Sequence, residues 1–133
     1  MKTASLITAR NVLLISLVAE GATGVIVILA PGLVAQLLFG AEVAGAGVAY
    51  GRLLGMTLLA LVIACWPRTD AVPRPALHAV LAYNLLAGLY LAWLGVAHRS
   101  MGILLWPAVA EHALVALLLL IRMRDARPAT AGA

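Results

Sequence analysis

Glu20, Arg52, Asn84, Glu111 and His112 each interrupt a long apolar run, and they are the side chains of this sequence best suited to chemistry. Two carboxylates, a guanidinium and an imidazole are groups that hold protons, pair charges or bind ions. With His112 protonated the set is neutral; with His112 neutral, one carboxyl must carry a proton. Two readings follow. In the first, Arg52 bridges Glu20 and Glu111 as a polar clamp that fixes helix register. In the second, the same residues form a site for a proton, a ligand or a substrate. Glu111 and His112 are neighbours in sequence, about 100° apart on a helix, so one is expected to face the bundle axis and the other a seam between helices. No nucleophile, base and orienting group fall into a catalytic pattern, so no catalytic residue is assigned.

Cofactor chemistry finds little to work with. A haem held between helices needs two histidines at similar depth, whereas His78, His98 and His112 fall near one end, beyond the end and in the middle of their apolar runs. Glu20, Glu111 and His112 are of metal-ligand type, but a nearby Arg52 would oppose a cation. Cys65 is the single cysteine, which rules out a disulfide or dithiol redox pair within one chain. Tyr83 and Tyr90, two helical turns apart, read as packing or interface residues. No cofactor and no metal are expected.

The elements that position these residues are four apolar blocks, about 12–29, 46–66, 76–97 and 103–121. Each is near the ~20 residues a helix needs to cross the hydrocarbon core of a bilayer, where backbone polar groups must be satisfied within the segment. Hydrophobic residues make up 65% of the 133 and charged residues 11%, against roughly 45–50% and 25% in ordinary water-soluble domains. The expected fold is therefore all-α: one integral-membrane domain over 1–133, an antiparallel four-helix bundle with a cytoplasmic tail from 122. Prolines and glycines punctuate it at Pro31-Gly32, Trp66-Pro67, Pro73 and Pro75. The apolar stretch 32–40 is too short to span and is expected as an interfacial helix with Gln36 facing water. Trp106-Pro107 predicts a bend or an irregular turn early in the last helix, opening space beside Glu111.

A charge at the bilayer centre costs about 2.5–3.5 kcal/mol on insertion scales, so the buried acids demand a partner or a purpose. The basic residues elsewhere act as orientation signals. Lys2, Arg10, Arg68, Arg74, Arg122, Arg124 and Arg127 flank one side of the blocks, and only Arg99 flanks the other. By the positive-inside bias both termini and the loop 67–75 are cytoplasmic. Tyr50, Trp93 and Trp106 then fall at the outer interface and Trp66 at the inner one. The net charge of +4 is used up in these flanks, and no basic stripe is interleaved with aromatics, so nucleic acid is not an expected partner. The first block reads as an uncleaved signal anchor, since no clean small-x-small cleavage site follows it.

Lipid provides no hydrophobic drive for helix association, so small residues must let backbones approach closely. Each block carries a stripe at i, i+4 and i+8: Ser16–Glu20–Gly24, Gly47–Gly51–Gly55, Asn84–Gly88–Ala92 and Ala108–His112–Ala116. Gly24, Gly47, Gly51, Gly55 and Gly88 are the expected helix-packing residues, and the same stripes suit self-association or a place in a larger membrane complex.

The segments APGLVAQLLFG (30–40), GRLLGMTLLALVIACW (51–66), YNLLAGLYLAW (83–93) and GILLWPAVAEHALVALLLL (102–120) together resemble those of small bacterial tetraspanning proteins, broadly the DoxX-like group. That resemblance implies a four-helix fold in the bacterial cytoplasmic membrane and no established activity. The redox associations of some DoxX-like proteins do not carry over, because no cysteine pair matches. The leading expectation is an accessory or helper subunit that acts through helix packing among membrane lipids. The alternative is a small-molecule or proton-handling protein built on Glu20, Arg52, Glu111 and His112.

Overall fold

The computed structural model describes residues 8–69, 71–98 and 101–125. They form five helices: α1 (Ala9–Leu29), α2 (Pro31–Phe39), α3 (Ala46–Cys65), α4 (Arg74–Ala97) and α5 (Leu105–Asp125). Among the described residues α1, α3, α4 and α5 are long and apolar enough to cross a membrane.

Local chemistry sets the ends. The Thr8 side chain accepts from the Asn11 N–H at 3.1 Å, so α1 starts at Ala9, earlier than the apolar pattern alone suggests. Pro31 takes the first position of α2, where its missing N–H does no harm. Gly40 ends α2 at φ 65°, the left-handed conformation that glycine adopts freely. Gln36 is exposed, as expected. Pro107 falls in the first turn of α5, where an N–H has no partner within the helix in any case. The expected disturbance at this proline therefore takes the form of a turn at 103–104 before the helix begins. The tail expected from 122 is helical through Asp125, with Arg122 and Arg124 in the last turn of α5, where cations complement the helix dipole. Residues 126–133 lie outside the described residues.

Packing falls into two pairs. α1 lies chiefly on α3 and α4 chiefly on α5; α1 with α5 makes the main contact between pairs, and α3 touches α4 less. Within the first pair the backbones meet at glycines. A Cβ on Gly55 would sit 2.6 Å from the Gly24 carbonyl oxygen and 2.7 Å from Ile28 Cγ1. Gly51 lies against Pro31, and Gly88 of α4 against Cβ of His112 on α5. Gly47 faces Val43, a residue of the segment leading into its own helix.

The buried apolar core joins α1, α4 and α5, with Leu13, Leu17, Val80 and Leu119 wholly or almost wholly enclosed and Cys65 of α3 against them. Large apolar side chains also cover the outer surfaces. Ile15, Leu29, Ile63, Leu86, Leu89 and Val96 are each at least two-thirds exposed, a distribution that suits lipid rather than water.

α2 ties the ends together. The N–H of Gly102 donates to the Leu38 carbonyl at 3.1 Å and that of Leu104 to the Leu37 carbonyl at 2.9 Å. Gly102 packs so tightly on Leu37 that any Cβ there would collide with its carbonyl.

Candidate functional site: a polar layer between the helix pairs

One turn beyond the apolar core the interior becomes polar. Ser16, Glu20 and Gly24, spaced by four, turn to the same buried side of α1. Asn84 and Gly88 do the same on α4, and His112 and Ala116 on α5. Glu20 is 4% exposed, Asn84 1% and His112 7%.

Asn84 organises the layer. Its Nδ2 donates to the Val80 carbonyl at 2.9 Å and to Ser16 Oγ at 3.3 Å. A carbonyl oxygen only accepts, so this fixes which end of the amide is nitrogen and turns Oδ1 toward His112. His112 Nδ1 lies 2.9 Å from that Oδ1. Because Oδ1 only accepts, Nδ1 must carry the proton, and any change in the ring's protonation takes place at Nε2.

The acids approach the same nitrogen. Glu20 Oε1 is 3.8 Å and Glu111 Oε2 3.4 Å from His112 Nδ1. At these separations neither acid makes a good hydrogen bond to the ring, and charge attraction acts only when the imidazole is protonated. Glu20 finds its hydrogen bond elsewhere: the Tyr83 hydroxyl donates to Oε2 at 2.9 Å. The Tyr83 ring meets the His112 imidazole edge-on, with centroids 5.7 Å apart. His112 takes the inward position and Glu111 the seam, where its side chain keeps 41% exposure.

Four of the five residues singled out in the sequence, Glu20, Asn84, Glu111 and His112, thus come together. Arg52 does not. It is exposed on α3, with no ion pair or hydrogen bond to either acid among the described residues. The cause is the rotational setting of α3: Gly51 and Gly55 face α1 and α2, and Arg52 follows Gly51 by one residue, about 100° round the helix. The clamp in which Arg52 bridges Glu20 and Glu111 is therefore absent. Tyr83 and Ser16 join the layer instead. Ser16, one turn before Glu20, carried a periodic signal; Tyr83 carried only its spacing from Tyr90, which pointed to packing or an interface and not to Glu20.

The candidate ligand atoms of Glu20, Glu111 and His112 lie within 4.8 Å of one another. The imidazole nitrogen facing the acids, however, is a protonated donor to Asn84. A cation there would have to strip that proton and break the bond to Asn84, so the donor set does not suit a metal. His78 lies apart from the layer, in a cleft at the far end of the helices, and His98 follows the last residue of α4.

Fold and site together define an all-α chain with four helices of membrane-crossing length and a mutually bonded polar layer inside it. No protein family, curated protein or solved structure matches this chain, so the expected resemblance to the DoxX-like group finds no support.

Proposed function

We propose that this is a multi-pass membrane protein in which α1, α3, α4 and α5 form an antiparallel bundle with both termini cytoplasmic, and that its buried layer handles protons. One observation carries the reading. Among the described residues His112 is the only basic side chain paired with Glu20 or Glu111. With Arg52 outside, the buried charge of Glu20 is balanced by a proton that it holds itself or shares with His112. Acid and histidine chains of this kind serve as proton relays in membrane proteins. Tyr83 and Asn84 hold the acid and the imidazole in place, and the partial exposure of Glu111 gives the layer a route to the outside.

A second reading, an accessory subunit held in a larger complex by helix packing, is favoured by α3. Its side chains Tyr50, Leu53, Leu54 and Ile63 are all more than half exposed.

The test is spectroscopic. Infrared spectra of the chain in lipid vesicles across pH should show a carboxylic-acid carbonyl band that Glu20→Gln removes and Tyr83→Phe shifts. Nitrogen-15 spectra of labelled histidine should show one ring whose Nδ1 stays protonated while Nε2 changes. A layer whose carboxyl and imidazole signals stay constant wherever the chain remains helical would leave only the packing role.

A further inference from the structure

At the opposite end of the core from Gly24, the start of α1, the start of α4 and the end of α5 enclose a cleft of about 740 Å³. Arg74 and Arg124 line it, with Val72, Leu120 and Met123 as a partly exposed apolar wall, and no acid is among its described lining residues. Asp125, the neighbour of Arg124 in sequence, is turned instead to Arg122 at 3.5 Å. Leu77 and Leu81 are one turn apart on α4 and almost fully buried, so the wall continues into the core.

From this combination we infer that the cleft binds an anionic phospholipid. The phosphate sits between Arg74 and Arg124, which bind phosphate oxygens with paired N–H groups, and one acyl chain lies along the partly exposed apolar wall. A soluble anion would use the cationic rim and leave the wall uncovered; a neutral lipid would use the wall and leave the rim unanswered. Only a molecule with both parts matches both. The inference rests on the membrane reading above, which places this end at the cytoplasmic boundary, where basic pockets between helices meet anionic headgroups.

Native mass spectrometry of the full chain in detergent, offered equal amounts of phosphatidylglycerol and phosphatidylcholine, tests it. Phosphatidylglycerol should be retained preferentially, and the preference should fall about five-fold for each arginine removed in Arg74→Gln and Arg124→Gln. Arg74→Lys should keep most of it, and Arg68→Gln, outside the cleft, all of it. Equal retention of the two lipids, or a preference unchanged in the double variant, overturns the proposal. Displacement of the lipid by inorganic phosphate alone would assign the cleft to a free anion and overturn it too. Carbonate washing of neutral phosphatidylcholine vesicles bearing the chain separates the two readings. Release of the chain overturns the membrane reading and the lipid site with it, whereas retention without lipid preference overturns the lipid site alone.

Discussion

The Tyr83 hydroxyl on α4 donates to Glu20 Oε2 on α1 at 2.9 Å, joining two helices that otherwise touch little. The bond crosses between the two helix pairs, and the ring that carries it also abuts His112. Tyrosine and glutamate therefore act as one unit with the imidazole.

Tyr83→Phe keeps the ring and removes the donor. Bonds of this type between membrane helices contribute from about 0.6 to 2 kcal/mol, and the variant should lose stability in that range when unfolded by dodecyl sulfate in mixed micelles. Combined with Glu20→Gln, the loss should be smaller than the sum of the two single losses, because the partners share one interaction. Strict additivity would show that the hydroxyl and the carboxyl do not interact.

The meeting of Gly24 and Gly55 makes a sharper demand. Gly55→Ala places a methyl group against the Gly24 carbonyl, a backbone atom that cannot step aside, and should cost about 1–3 kcal/mol through overpacking. Gly32→Ala meets nothing within 4 Å and should be neutral or slightly stabilising. Melting temperatures of the two variants in the same detergent decide the matter; similar melting would mean that α1 and α3 do not approach at their glycines.

Arg52→Ala should change stability by less than about 0.5 kcal/mol, as for an exposed side chain without partners. Asn84→Ala should cost about 1–3 kcal/mol, since Ser16 and the Nδ1 proton of His112 lose their partner in the interior. A large loss on removing Arg52 would restore the bridging clamp and contradict its exposed position.

Much of this architecture was legible in the sequence because its signals are local. Prolines and glycines at 31, 67, 73 and 75 and at 40 mark helix ends whatever surrounds them, and a spacing of four puts Ser16, Glu20 and Gly24 on one face by geometry alone. Arg52 was misplaced because depth and rotation are separate coordinates. Its level along α3 follows from counting residues, but its direction depends on which face Gly24, far away in sequence, selects. Tyr83, read with Tyr90 as a packing or interface residue, was misread for a related reason: its hydroxyl bonds a carboxylate on another helix, a pairing that spacing along α4 does not reveal. The early start of α1 and the extension of α5 to Asp125 depend on a cap and on arginines at a helix end, features to which hydropathy is blind.

The strap from Leu37 and Leu38 to Gly102 and Leu104 imposes an order of assembly. Its acceptors are made early and its donors late, so a chain emerging from the ribosome holds two main-chain carbonyls open until the segment just before the last helix arrives. The helix that follows delivers His112 to Glu20. A product cut short before Gly102 would thus leave both carbonyls unclosed, and Glu20 with Tyr83 as its one described hydrogen-bond partner.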